Sequence, residues 1–159
     1  MLFRSLTQTT ERTVGPSVSV SWLGGVSTAY DLSRTTSDAV NAGNLFRTTR
    51  SQENASLNFA FRPPAGVARF KNVIRTSARY VSSQNVVCLQ AAGQETCVPY
   101  VDSRQSQTQL TLDTDFPPSL RAGLQMAYLV NDERQSNHKT AQLVITAFVS
   151  LSTSVGQIR

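Results

Sequence analysis

The sequence predicts an all-β protein: an antiparallel up-and-down meander of six or seven long strands that forms part of a transmembrane β-barrel. Three observations predict it. Apolar residues recur with period two along six segments, the repeat of a strand that buries one face. No stretch of twelve residues keeps apolar residues at i, i+3, i+4 and i+7, so helices are not expected; SDAVNAGNLF could make a turn of helix, but Gly43 and the asparagines weaken it. Between the alternating segments lie polar or proline-containing connections, the rhythm of consecutive hairpins.

The elements follow in order. Residues 1–16 hold a possible partial strand in LFRSLTQTT, where alternation is poor. From Ser17 to Tyr30 the even positions read Val18, Val20, Trp22, Gly24, Val26, Thr28 and Tyr30, against a small, mostly polar odd set, which predicts one long strand. A long polar connection is expected over 31–54. ASLNFAF presents Ala55, Leu57, Phe59 and Phe61 on one face. RPPAGVARFK, with Pro63 and Pro64, is expected to be a short turn, since a Pro-Pro pair cannot continue a ladder. NVIRTSARYVS places Ile74, Thr76, Ala78 and Tyr80 opposite Arg75, Ser77 and Arg79. A second long connection over 83–104 carries the two cysteines. SQTQLTLDT sets Thr108, Leu110 and Leu112 against Gln107, Gln109, Thr111 and Asp113. The tight DFPPS, with Pro117 and Pro118, leaves too little chain for anything but an adjacent return. LRAGLQMAYLV alternates Leu120, Ala122, Leu124, Met126, Tyr128 and Val130 with Arg121, Gly123 and Gln125. A loop over 131–138 leads to AQLVITAFVSLS, whose odd positions are apolar. The strands thus occupy 17–152, and 153–159 is a tail of the same single unit.

Composition narrows the class. Charged residues make up 16% of the chain, and 19 Ser and 17 Thr take their place, which excludes a coiled coil or helical bundle. The net charge is +5 and almost entirely arginine, with 13 Arg and 2 Lys. The arginines are scattered rather than clustered, so nucleic acid is not an expected partner. No run of about 18 apolar residues is present, so no transmembrane helix is expected. The opening segment has no apolar stretch of a secretory signal.

Two architectures give alternating strands. A β-sandwich packs the apolar face on a second sheet. A membrane barrel turns it to lipid and lines its interior with the polar face. Several alternating segments reach about ten residues, enough to cross a bilayer at a tilt. Arg75, Arg79, Gln107, Gln109, Asp113, Arg121 and Gln125 then face a wet lumen. Trp22, Tyr30, Tyr80 and Tyr128 lie in the apolar register, where interfacial aromatic belts form. The connections alternate long and short, as extracellular loops and periplasmic turns do. On that reading the cysteine loop lies outside and the chain ends in the periplasm. The alternative is a soluble secreted or viral β-sandwich that binds or assembles.

Cys88 and Cys97 have eight residues between them in a turn-rich segment, and the expected pairing is a small-loop disulfide of an oxidising compartment. No His or further Cys lies beside them to complete a zinc site. No catalytic motif is present, and neither cofactor nor metal is expected. The one histidine, His138, sits in a polar loop. Asp113 and Asp115 share a face; Asp113 is expected to pair with Arg121 or Arg75, and Asp115 to cap a turn. Asn54-Ala55-Ser56 matches a glycosylation sequon, a short pattern that recurs by chance.

The final segment, LRAGLQMAYLVNDERQSNHKTAQLVITAFVSLS, resembles the last hairpin of bacterial outer-membrane barrels. Together with SARYVSSQNVVCL, the layout over about residues 55–152 is similar to the C-terminal part of the SprA-type proteins, which form the translocon of type 9 secretion and serve gliding motility. The resemblance rests on rhythm, and the chain ends VGQIR where outer-membrane barrels commonly end in an aromatic residue. It implies a bacterial outer-membrane location, a channel or protein-translocation role, and no enzymatic activity. The implied partners are the lipid bilayer, the remaining strands of the same barrel and secretion-system proteins. Six or seven strands fall short of the usual eight for closure, so a segment of a larger barrel is expected.

Overall fold

The computed structural model describes residues 8–41, 44–63, 72–91, 96–116 and 120–151. They form one antiparallel sheet of eight strands: β1 (Gln8–Val14), β2 (Ser17–Ser21), β3 (Ser27–Asn41), β4 (Asn44–Phe61), β5 (Ile74–Gln90), β6 (Val98–Phe116), β7 (Leu120–Glu133) and β8 (His138–Leu151). β1 and β2 both pair with β3 and together act as one interrupted strand. The break is Gly15-Pro16, and Leu32 N donates across it to Pro16 O at 3.0 Å. From β3 to β8 each strand pairs with its sequence neighbour, so the sheet is an open meander with β1/β2 at one edge and β8 at the other. The expected pairing of 105–114 with 72–82 and 119–130 is found in β6.

Three expectations about the connections are corrected. Residues 17–30 are not one strand but a hairpin, turning at 22–26, where Gly24 and Gly25 take φ of 88° and 78°. Backbone of that sign is strained for residues with a Cβ. Five residues separate Ser21 from its partner Ser27, so even positions face the same way on both strands and the alternation runs through the turn unbroken.

Residues 31–54 are not a loop. β3 and β4 continue in register to Asn41 and Asn44, leaving only 42–43 between them. Likewise most of 83–104 is strand, belonging to β5 and β6. The first stretch is mostly polar on both faces, and in the second Val86, Val87 and Leu89 fall on both faces, so neither carries a period-two hydrophobic signal. Their threonines suit extended backbone, and Arg47 sits directly opposite Asp38. The alternation of long loops and short turns is therefore replaced by long polar hairpins at one end of the sheet. The stretch 62–73, expected to be short, is the longest separation between strands. Much of it, with the Pro117–Pro118 turn and the 153–159 tail, lies outside the described residues.

Ladder partners share a face, so the register sorts the side chains. Val18, Tyr30, Ala55, Tyr80, Thr108, Tyr128 and Leu143 form one row across the sheet. Below it on the same face lie Val20, Leu57, Leu110, Met126 and Ile145, then Phe59, Leu112, Leu124 and Ala147, then Phe61, Ile74, Ala122 and Val149. Leu112, Leu124 and Leu143 share a face as expected. Phe59 and Phe61 stack there at 5.8 Å between ring centroids.

This apolar face has no cover among the described residues. Among the described residues the only buried ones are Cys88, Thr76, Ser82 and Asp113, and no side chain is completely enclosed. Leu143, Ile145, Val149 and Leu151 are 57–71% exposed. The backbone ladder holds the sheet together, and the hydrophobic side chains have not yet left solvent.

One close contact crosses the opposite face. Phe148 is the single residue of β8 that is not exposed, and it opposes Gly123 on β7. A Cβ on Gly123 would lie 2.5 Å from the Phe148 ring and 2.6 Å from Leu112 O. The glycine thus makes room for an aromatic ring to cover the strand, a recurrent device in curved sheets. Gly123→Ala is expected to destabilise the fold by about 1–2 kcal/mol through overpacking, read as a lowered denaturation midpoint. Phe148→Leu in the same background should recover part of the loss if the ring is the obstacle.

Candidate functional site

The face opposite the apolar rows is polar, and it collects the residues singled out from sequence. Arg79 opposes Gln109, and Arg75 opposes Asp113. Gln125 opposes Thr111, Gln107 opposes Leu129, and Arg121 opposes Asp115. All seven of Arg75, Arg79, Gln107, Gln109, Asp113, Arg121 and Gln125 therefore share this face. Serines and asparagines fill much of the rest, interrupted by Val81, Leu129, Val144 and Phe148: Ser19 and Ser56 lie in the Arg79 row, and Ser21, Ser27, Asn58 and Ser77 in the Gln125 row.

An ionic cluster sits near the 117–119 end. Asp113 is 8% exposed. Arg121 Nη2 lies 2.9 Å from Asp113 Oδ2, and Arg75 Nη1 approaches the same oxygen at 3.3 Å. Arg75 also pairs with Asp115. Asp113 thus pairs with both candidate arginines, one on each neighbouring strand. Asp115 is not a turn cap, as expected from sequence, but a strand residue that completes the cluster. Two guanidiniums and two carboxylates give a compact group of no net charge. Arg79 and Arg50 on this face have no ion pair among the described residues, and Asp31 and Glu133 are carboxylates of the same face.

The four aromatic residues separate. Tyr30, Tyr80 and Tyr128 stand in a single row on β3, β5 and β7. Below that row the face is apolar. Above it comes a mixed row of Leu32, Glu53, Ser82, Ser106, Val130 and Ala141, then the polar row of Arg34, Gln84, Arg104, Asp132 and Lys139. The tyrosines therefore mark a boundary between apolar and polar surface. Trp22 does not join them. It lies in the 22–26 turn, where the two glycines redirect the chain, and its Nε1 donates to Thr28 Oγ1 at 3.0 Å.

Beyond the tyrosines the strands project as polar hairpins. β3 runs eleven residues past Tyr30, from Asp31 to Asn41, or about 36 Å at the rise of a strand. Across them lies a shallow hollow of about 530 Å³ that includes Arg50, Gln52, Asn85, Ser103, Asn131 and Glu133 and is lined by polar residues. The amide oxygens of Asn54 and Asn85 on this side are buried without a hydrogen-bond partner in the chain.

Cys88 and Cys97 form a disulfide with 5.5 Å between Cα atoms, beside the 91–97 connection at the tip of the second hairpin. Next to it the β5–β6 register shifts between Val87 and Cys88, which leaves Tyr100 as the extra residue of a bulge. The first hairpin is tied by Arg47, whose Nε and Nη2 donate to Asp38 at 2.7 and 2.9 Å.

Those hydrogen bonds, more than the charge attraction, hold the Asp38 carboxyl below its ordinary 3.8 despite a small opposing effect of burial. The Arg47 guanidinium is pushed up by the same contact. Because the folded value of Asp38 is depressed, the pair's contribution is complete above 3.8 and is lost as pH falls below it. Amide exchange protection at Thr36–Thr49 is therefore expected to hold from neutral pH to about 5 and to fall below the ordinary carboxylate range. Asp38→Asn should remove that acid step. The effect is small, because the pair is solvent-exposed.

Among the described residues no three His, Cys, Asp or Glu side chains are grouped to hold a metal ion. His138 opens β8 opposite Glu133 at the exposed tip of the last hairpin. Asp113 and Asp115, the only paired carboxylates on the polar face considered from sequence, are both engaged by arginine. The arrangement offers charge and hydration rather than a nucleophile with a base. Among the described residues no helix is long and apolar enough to cross a membrane, which does not bear on crossing by strands. No family model, curated protein or solved structure matches this chain.

Proposed function

We propose that the chain forms part of the wall of a transmembrane β-barrel in a bacterial outer membrane, with its apolar face in lipid and its polar face toward a water-filled passage. One observation carries the reading: the two faces stay distinct, in register, across seven strand positions, and the apolar one is bare. An exposed apolar surface of that extent is not stable in water and must be covered. Lipid covers it without any further protein layer.

The dimensions agree. On β7 the apolar alternation runs from Leu120 to Val130 and on β8 from Ala141 to Leu151. Eleven residues is a membrane-crossing length for a tilted strand. The tyrosine row sits where the apolar band meets charged residues, the position of an interfacial belt. The polar hairpins then stand outside the bilayer, and the 22–26, 62–73 and 117–119 connections lie on the periplasmic side. Unpartnered amide oxygens on the inner side are satisfied by water in a hydrated passage.

The passage is a conduit for solute or protein, with protein secretion being the use that the likeness to SprA-type translocons suggests. Selection is by charge. The Arg75, Asp113, Asp115 and Arg121 cluster fixes neighbouring strands, and Arg79 and Arg50, with Asp31 and Glu133 on the same face, present the remaining charge to the cargo. Folding in lipid tests the reading. Denatured protein diluted into short-chain phosphatidylcholine vesicles should gain β-sheet circular dichroism and protease protection, and should aggregate in buffer alone. A soluble, monodisperse β-protein in detergent-free buffer would support the sandwich instead.

A further inference from the structure

The two edges of the sheet are unlike, and only one of them is guarded. The β1/β2 edge is broken by Gly15-Pro16 and carries Glu11 and Arg12. Breaks, prolines and charges are the usual devices that stop an edge strand from recruiting another. β8 has none of them over TAQLVITAFVSL, Thr140–Leu151. It contains no charge, no proline and no bulge, and its fourteen pairs with β7 run without a register shift. Nine of these twelve residues are β-branched, aromatic or small, the others being Gln142, Leu143 and Leu151, and all but Phe148 are exposed.

We infer that β8 is a receptive edge that pairs with an additional, opposite-running strand of about eleven uncharged residues, apolar on the Leu143 side and polar on the Gln142 side. The length and patterning follow from β8 itself, since a neighbour must match its apolar face to keep the band continuous. The direction rests on the proposed membrane reading. Each step from β1/β2 to β8 reverses the chain, and the number of steps is even, so both edge strands run the same way. A second copy held in the same membrane orientation presents only parallel edges to β8. Antiparallel continuation therefore requires an odd number of strands drawn from outside residues 8–151. In lipid an unpaired edge is not tolerated, because its backbone groups find no water.

Hydrogen exchange on the unmodified protein in its native membrane assembly reads the edge directly. In an antiparallel ladder alternate amides of β8 point to β7 and the others point outward. An occupied edge gives continuous protection from Thr140 to Leu151, whereas a free edge gives protection at every second residue. Photo-cross-linking identifies the occupant, with p-benzoylphenylalanine in place of Val144 or of Ile145. A cross-link to a strand outside residues 8–151, running opposite to β8, together with continuous protection, is the expected result. Cross-links to β1/β2, or to β8 of a second copy, overturn the inference. So does alternating protection. The membrane reading is scored separately by folding in vesicles, so a free edge in a lipid-inserted protein counts against the partner strand alone.

Discussion

Leu124→Arg and Leu143→Arg are each expected to cost about 2–4 kcal/mol when the protein is folded in a bilayer, the penalty for a guanidinium on the lipid side near the midplane. Gln125→Arg and Gln142→Arg, one residue further along β7 and one residue back along β8, should change stability little. The contrast isolates facing from position, because each pair differs by a single residue along one strand. Leu124 lies between Leu112 and Ala147, well inside the apolar band, so the arginine cannot reach the polar region without tilting across several neighbours. Leu143 stands in the tyrosine row, closer to charged surface, and its cost should fall toward the lower end as the side chain snorkels. Denaturant midpoints in vesicles, compared within each pair, decide it. Equal costs for both faces would remove the two-sided wall. A large cost for Leu124→Arg that persists in detergent-free buffer would place another protein layer on that face.

How much of this was legible in the sequence depended on whether a strand had one wet face or two. β7 and β8 were placed to within about three residues because their apolar faces repeat every second position. The seven polar-face residues followed from the same parity, since Arg75 and Arg121 occupy alternate positions to Ile74 and Leu120. The upper halves of β3, β4, β5 and β6 were hidden because Ser, Thr, Asn and Arg occupy both faces there. Backbone pairing does not need an apolar stripe, so polar composition alone does not separate a loop from a solvated hairpin. The Asp38–Arg47 opposition was a usable signal: the residues stand at equal distances from the 42–43 connection, as cross-strand partners must. The turn at 22–26 was masked by its odd length, although Gly24-Gly25 within an apolar run signals a turn on its own. Trp22 was misplaced for that reason. The tyrosine row required register, because Tyr30, Tyr80 and Tyr128 are level only after four hairpin connections are counted correctly. Asp115 was assigned to a turn because two prolines follow closely, yet β6 continues through Phe116 and keeps it on the polar face.

Asp113→Ala is expected to destabilise the protein by about 2–3 kcal/mol, more than any other change on the polar face. Asp113 is the only carboxylate in the cluster that touches guanidiniums from both neighbouring strands, and it is the most enclosed charged group in the described sheet. Its removal leaves Arg121 without an ion pair and brings Arg121 beside Arg75 with one negative charge fewer between them. A fully buried pair broken in this way costs about 3–5 kcal/mol. The arginines are half-exposed, so water recovers part of that sum. Asp113→Asn preserves shape and one hydrogen-bond acceptor, and should recover some of the loss but not the charge attraction. Arg121→Gln in the Asp113→Ala background should cost little further, because the interaction it would break is already gone. Asp115→Ala is expected to matter less, as its partner Arg75 keeps Asp113. Urea or guanidinium midpoints in vesicles for Asp113→Ala, Arg121→Gln and the double variant provide the cycle. Additive losses for Asp113→Ala and Arg121→Gln would mean that the two side chains act independently, and that β5, β6 and β7 are held at this level by their backbone ladder alone.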